Sequence, residues 1–194
     1  LREMKADLGV MISASHNPAS DNGIKFFARS GRKLEDSVEA EIEALLGKPW
    51  HRPTDMQPGQ EFKDQDAREK YIKYLLGTIE CKFNGIKVVV DCANGAASYV
   101  APEVLRRAGA EVIAISNEPN GRNINENCGS THLDNLIAKV RTSGADLGLA
   151  HDGDADRVLA VDNEGNVIDG DHILGILADH TDIPTNTVVG TVMT

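Results

Sequence analysis

The sequence has 194 residues, of which 41% are hydrophobic and 26% are charged, values typical of a globular protein. Its net charge of −10 argues against general nucleic-acid binding, which requires a basic face. It does not exclude an anionic substrate, because a metal ion or a local group of cations can reverse the local field.

The cysteines and the hydrophobic runs indicate the compartment. Cys81, Cys92 and Cys128 are odd in number and widely spaced, which argues against a disulfide framework or a zinc site and fits a reducing compartment. No signal peptide is recognisable, and no apolar run approaches the roughly 18 residues of a membrane span. The sequence therefore predicts a soluble, cytoplasmic protein with no membrane partner.

The first part of the chain contains two predicted strands followed by two predicted helices. The predicted elements are strands at 8–13 and 23–28 and helices at 36–47 and 64–77. Asp36 is expected to cap the first helix and Gly47 to end it. Residues 48–59 contain three prolines and a glycine and are the predicted linker.

Strands and helices alternate more regularly from residue 86 to the end of the sequence. The predicted elements are strands at 86–92, 111–116, 145–150, 158–162 and 187–193 and helices at 98–110, 131–144 and 171–181. The strand at 86–92 is a continuous apolar run of the kind that parallel sheets bury. Residues 163–166 have the composition of a hairpin turn. The pattern predicts an α/β protein with open, mixed or mostly parallel sheets and flanking helices.

An acidic loop, "HDGDADR" at 151–157, directly follows a predicted buried strand. Asp152, Asp154 and Asp156 alternate, so an extended backbone would point all three carboxylates in one direction. A hard divalent cation would relieve their repulsion, and all-oxygen ligation suits Mg²⁺. An EF-hand is excluded because its required glycine and final glutamate are missing. A solvated acidic turn and an aspartate nucleophile remain as alternatives.

A serine-containing loop follows the first predicted strand and places Ser13 and Ser15 at the strand's carboxyl end. Ligands bind at that end of the strands in open α/β sheets. Serine is a weak nucleophile unless it is activated, and His16 and Lys25 are the candidates for proton transfer or positive charge. The residues alone also allow a turn-capping Ser15, a structural His16 and a solvated Lys25.

The two loops together resemble a known family. "SASHNP" at 13–18 resembles the phosphoserine loop, and "DGDADR" at 152–157 the metal-binding loop, of the α-D-phosphohexomutases. Ser13, "NGIKFF" at 22–27 and "NINENCGSTH" at 123–132 are similar to the bacterial branch that acts on glucosamine phosphate. The mannose and glucose branches more often carry threonine where Ser13 stands.

The resemblance implies an enzyme of four domains, of which this sequence is a central fragment truncated at both ends. It implies that residues 1–47 are the C-terminal part of domain 1, 60–168 are domain 2, and 169–194 open domain 3. The family's sugar-recognition and phosphate-binding loops would then lie outside these residues. The resemblance therefore implies that this stretch is inactive alone.

The resemblance also implies a reaction, the interconversion of glucosamine 6-phosphate and glucosamine 1-phosphate through a phosphoserine and a bisphosphate intermediate. Ser15 would carry the phosphoryl group, and His16 and Lys25 would transfer protons. Mg²⁺ would be held by Asp152, Asp154, Asp156 and an oxygen on Ser15. Arg157 would clamp phosphate, unless it only pairs with a neighbouring aspartate. The alternatives are a mutase for mannose or glucose phosphate and an inactive Mg²⁺-binding fragment.

Overall fold

The computed structural model describes residues 1–49, 59–180 and 187–190. These residues belong to two compact units, the first formed by residues 1–13 and 23–67 and the second by residues 14–22 and 68–194. Residues 50–58 of the predicted linker lie outside the described residues, as does the end of the strand predicted at 187–193. Its residues 187–190, which are described, form neither a helix nor a strand.

The first unit contains an antiparallel strand pair and a short helix. Strand β1 (Leu8–Ser13) pairs with β2 (Gly23–Ala28), and both strands have the bounds that the sequence predicts. Helix α1 is Asp36–Glu43, which ends four residues earlier than predicted. The predicted cap is wrong as well, because Glu35 occupies the cap position without a capping bond. Asp36 lies in the first turn and accepts a hydrogen bond from Lys33 Nζ at 3.2 Å.

The second unit is built on a five-stranded sheet in the order β4-β3-β5-β6-β7. Its strands are β3 (Lys87–Asp91), β4 (Glu111–Ile115), β5 (Leu147–His151), β6 (Val158–Asp162) and β7 (Val167–Ile168). Strands β4, β3 and β5 are parallel, whereas β5, β6 and β7 are antiparallel. The sheet is therefore mixed, which is one of the two arrangements that the sequence predicts.

Helices and short 3₁₀ turns complete the second unit. The helices are α2 (Ala67–Leu76), α3 (Ala97–Arg107), α4 (Asp134–Ser143) and α5 (Gly170–His180). The 3₁₀ turns, Ala19–Asp21 and Gly129–Thr131, have no counterpart among the predicted elements. No helix within the described ranges is long and apolar enough to cross a membrane.

The core covers both faces of the sheet, because successive residues of β3 point in opposite directions. Val89 packs with Leu136 and Val140 of α4 on one face. Val88 and Val90 pack with the residues of α3 on the other. The predicted α/β class with flanking helices is thus confirmed, and the parallel strands β3 and β5 end at the same edge of the sheet. The loop that follows β5 is the acidic loop, and the loop that follows β3 is hydrogen-bonded to it.

Candidate functional site

The acidic loop joins the antiparallel strands β5 and β6. One carboxylate oxygen each of Asp152, Asp154 and Asp156 lies within 4.8 Å of the other two. The backbone here is a turn, with Ala155 at a φ of +60°, rather than the extended segment that the sequence argument assumes. The three carboxylates converge as predicted, but the turn brings them together.

Asp152 is the buried member of this group, with no exposed surface. Burial raises the pKa of its carboxyl group, the backbone N–H of Arg157 opposes the shift, and the charges of Asp154 and Asp156 add to it. That N–H donates to Oδ1 at 3.1 Å, whereas no hydrogen-bond donor among the described residues reaches the buried Oδ2. A cluster of three carboxylates in which one buried oxygen receives no hydrogen bond from the described residues fits a hard divalent cation.

Ser15 lies in a strained turn. Its φ is +51°, a left-handed conformation that few residues other than glycine adopt. The turn is closed by a hydrogen bond from the backbone N–H of Asn17 to the carbonyl oxygen of Ala14, at 2.9 Å. The Oγ atom of Ser15 lies 3.5 Å from Nδ1 of the exposed His16, a long contact for a hydrogen bond. Strain of this kind often accompanies a functional role.

The serine loop and the acidic loop touch through their backbones. A Cβ atom placed on Gly153 would lie only 2.3 Å from the carbonyl oxygen of Ser15. On its other side, Gly153 accepts a hydrogen bond at 2.8 Å from the N–H of Ala96, at the start of α3. A Cβ atom on Gly95 would lie 2.2 Å from the carbonyl oxygen of Gly153. Glycine at 95 and 153 therefore allows three loops to pack closely.

The remaining predicted site residues are Arg157 and Lys25. The side chain of Arg157 is 60% exposed, and its Nε lies 3.9 Å from Asp156 Oδ1. This long, exposed ion pair is weak, so the guanidinium can exchange it for another anion. Lys25 lies in β2, opposite Met11, and belongs to the first unit. Ser15, His16, Arg157 and the three aspartates belong to the second.

Sequence reasoning missed one residue that contacts the serine loop. Asn125 is 8% exposed, and its Nδ2 donates to the carbonyl oxygens of Ser15 at 2.7 Å and Asn17 at 2.8 Å. These partners lie more than a hundred positions away in the chain, so no local pattern could have indicated the contact. The only signal was that Asn125 lies within the "NINENCGSTH" segment on which the resemblance partly rests.

Known proteins resemble this chain over nearly its whole length. Phosphoglucosamine mutases from Thermobifida fusca and Paenarthrobacter aurescens are 56% and 55% identical to it, covering 98% of the chain. The chain spans only 43% of the length of either relative. A solved putative phosphomannomutase from Thermus thermophilus superposes with a TM-score of 0.75 at 26% identity, covering 92% of this chain and 42% of that one.

A more distant solved structure shares the fold. It is an N-acetylphosphoglucosamine mutase from Aspergillus fumigatus in complex with GlcNAc-6P and magnesium, with a TM-score of 0.63 at 21% identity, covering 91% of this chain and 48% of that one.

The family match covers both units. Residues 1–50 match domain I and residues 69–165 match domain II of the family described as phosphoglucomutase/phosphomannomutase, alpha/beta/alpha. The resemblance found from the serine and acidic loops is thereby confirmed. The chain belongs to the phosphoglucomutase/phosphomannomutase family.

Proposed function

We propose that this chain is part of a phosphoglucosamine mutase, which interconverts glucosamine 6-phosphate and glucosamine 1-phosphate. The observation that carries the proposal is the contact of the Ser15 backbone with Gly153, between two of the three clustered aspartates. The names of the curated relatives, at about 55% identity, support the choice of sugar. A phosphosugar is accordingly the proposed small-molecule partner, and a cytoplasmic location belongs to the same proposal.

Ser15 is the proposed phosphoryl carrier. Its phosphoryl group leaves Oγ for the 1-hydroxyl of glucosamine 6-phosphate, and the hydroxyl proton passes to His16 or Lys25. After reorienting, the resulting bisphosphate returns its 6-phosphoryl group to Oγ of Ser15, and the sugar O6 takes up the proton held by His16 or Lys25, which leaves glucosamine 1-phosphate. Each transfer forms one P–O bond as another breaks, so the serine is regenerated in its phosphorylated form.

The charged residues supply the electrostatic part of this proposal. Asp152, Asp154 and Asp156 are the proposed ligands of Mg²⁺, together with an oxygen on Ser15. A bound Mg²⁺ supplies positive charge, which stabilises the negative charge spread over a transferring phosphoryl group. Arg157 is exposed beside the acidic loop and is the proposed phosphate clamp, because a guanidinium can bind phosphate oxygens in pairs.

The domain division also remains a proposal. Residues 1–47 are assigned to domain 1, residues 48–59 to a linker, 60–168 to domain 2 and 169–194 to the start of domain 3. Turnover then depends on residues beyond this chain, since it spans less than half of its relatives. Phosphorylation of Ser15 is the partial reaction that this chain can test directly.

The test is uptake of a phosphoryl group from glucosamine 1,6-bisphosphate in the presence of Mg²⁺. We expect a mass increase of about 80 Da on the peptide that contains Ser15, and none in a Ser15→Ala variant. Ser20→Ala is the matched control, because Ser20 is an exposed serine of the same loop whose hydroxyl donates to Asp21. Equal uptake by Ser15→Ala and the parent chain would contradict the assignment.

A mutase for mannose or glucose phosphate is the second candidate, because the family description and the Thermus thermophilus structure carry those names. Rates of the longer protein on the three sugar 6-phosphates would separate the candidates. A higher rate with mannose or glucose phosphate than with glucosamine phosphate would contradict our choice. No Ser15 uptake and no Mg²⁺ binding would instead favour an inactive fragment.

A further inference from the structure

Asn125 is fixed to the framework of the second unit before it reaches the serine loop. Its backbone N–H donates to the carbonyl oxygen of Ala93 at 2.9 Å, just beyond β3. Ala93 is itself fixed, because its N–H donates to the buried carboxylate of Asp91 at 2.9 Å. Asn125 has a φ of +58°, which asparagine tolerates better than most residues. Its side chain therefore extends from a loop whose backbone is hydrogen-bonded to the segment just beyond β3.

Both N–H donors of the Asn125 amide are used on the serine loop. One donates to the carbonyl oxygen of Ser15 at 2.7 Å and the other to that of Asn17 at 2.8 Å. The two carbonyl groups flank His16, so the amide spans the strained part of the turn. Because Ser15 adopts a left-handed φ of +51°, the turn needs such external bonds to keep its shape.

The same amide also borders the acidic loop. A Cβ atom on Gly153 would lie 2.8 Å from Nδ2 of Asn125 and 2.3 Å from the carbonyl oxygen of Ser15. Asn125, Ser15 and Gly153 are thus in mutual contact, and Gly153 lies between two of the clustered aspartates. A displacement of the Asn125 amide would release the Ser15 backbone from the acidic loop.

We infer that Asn125 is a positioning residue for phosphoryl transfer, which holds the Ser15 backbone against the acidic loop through its two amide hydrogen bonds. The inference rests on the proposed function, in which Ser15 carries the phosphoryl group. Asn125 acts on the serine loop backbone and leaves the chemistry to Ser15 and the charged residues. Its loss therefore lowers the rate of transfer more than it weakens binding of the bisphosphate.

The test uses the 194-residue chain with two substitutions at this position. Asn125→Asp keeps the size of the side chain but replaces the donors with an acceptor, and Asn125→Gly removes the side chain while tolerating the positive φ. Asn135→Asp is the matched control, because its Nδ2 also donates to a loop carbonyl, that of Asn127 at 3.1 Å, without contacting the serine loop.

Two readouts are compared. Hydrogen exchange of residues 14–22 should accelerate about tenfold in both Asn125 variants, as expected for losing hydrogen bonds of ordinary strength, while β3 and β5 stay protected. The saturating rate of phosphoryl uptake at Ser15 should fall at least about tenfold, with the half-saturating bisphosphate concentration changed less than about threefold. Asn135→Asp should match the parent in both.

The outcomes separate the inference from the proposed function. Unchanged exchange in residues 14–22, or an unchanged saturating uptake rate, would overturn the positioning role. A chain that takes up no phosphoryl group even before substitution would contradict Ser15 phosphorylation by these residues alone and would favour the inactive fragment. In that case the exchange result alone decides whether Asn125 holds the serine loop, with faster exchange supporting the contact and unchanged exchange refuting it.

Discussion

Gly153 shows how a single missing side chain brings two loops together. The nearest atoms to an added Cβ are the carbonyl oxygen of Ser15 at 2.3 Å, the Cδ1 of Ile124 at 2.7 Å and the Nδ2 of Asn125 at 2.8 Å. At least one of these contacts involves backbone that cannot move without distorting the serine turn. The close neighbours, rather than a positive φ, therefore require glycine at this position.

We predict that Gly153→Ala lowers the free energy of unfolding by about 1–3 kcal/mol, because overpacking forces the serine loop away from the acidic loop. Urea denaturation measures the change. Gly175→Ala is the control, because an added Cβ meets no atom outside its own helix within 4 Å. That variant should be unchanged or more stable by up to about 1 kcal/mol. A Gly153→Ala chain as stable as its parent would contradict the packing argument.

At the scale of elements, local patterns predicted the strands well and some helix ends poorly. Strands β1 and β2 match their predicted bounds because each is a short, mostly apolar run that polar and turn-forming residues follow. Strand β7 was missed because Val167–Ile168 is too short to show a period. Helix α1 ends before Leu45 and Leu46, which are 64% and 77% exposed. Among the described residues, no core covers these two side chains to stabilise a further turn.

The turn between β6 and β7 is stabilised by Asp162. Its carboxylate accepts hydrogen bonds from the side chain and the backbone N–H of Asn166 and from the N–H of Glu164. The Asn166 side chain contributes most to lowering the Asp162 pKa below its ordinary value of 3.8, followed by the Asn166 backbone. The hairpin predicted at residues 163–166 thus depends on a residue just before it.

We predict that Asp162→Asn destabilises the protein near neutral pH and that the difference from the parent disappears in acid. A lowered pKa means that the ionised form stabilises the fold. This contribution is complete above the ordinary value of 3.8 and is lost as the pH falls through the lowered folded-state pKa. Unfolding free energies of both chains, measured across this range, check it. A difference that stays constant with pH would be the wrong result.

For the whole molecule, the sequence indicated the composition of the site better than its assembly. The alternating aspartates and Ser15 were recognisable because each belongs to a short, continuous sequence motif. The strand order and the contact of Asn125 with residues 15 and 17 depend on packing between distant segments. Nothing in either local sequence encodes those distances, so only the folded chain reveals them.

Binding of Mg²⁺ should stabilise the second unit as a whole, since a ligand that binds only the folded state shifts the unfolding equilibrium. At a hundredfold excess over the dissociation constant, the gain is about 2.7 kcal/mol. Thermal melting with and without Mg²⁺ measures it, and chelation should reverse it. Asp154→Asn should abolish the gain, whereas Asp171→Asn, an exposed carboxylate outside the cluster, should keep it.

This gain should shrink in acid at a higher pH than for an ordinary carboxylate site. Burial raises the pKa of Asp152, so protons compete for this ligand before they reach a solvated aspartate. Without Mg²⁺, the effect of pH on stability has the opposite sign. Ionising Asp152 then destabilises the fold as the pH rises from 3.8 through the raised folded-state pKa. A Mg²⁺-dependent gain that stays constant through this range would contradict the assignment of Asp152 as a ligand.

The position of the acidic loop between two paired strands also limits its length. His151 pairs with Val158, so residues 152–157 form the whole connection, and this register places Val161 in the core. Adding or removing one residue would shift β6 by one position and turn Val161 to the opposite face of the sheet, unless the loop or a bulge absorbed the change. The same change would separate the three carboxylates. The length of this loop is therefore constrained together with Gly153 and the three clustered aspartates.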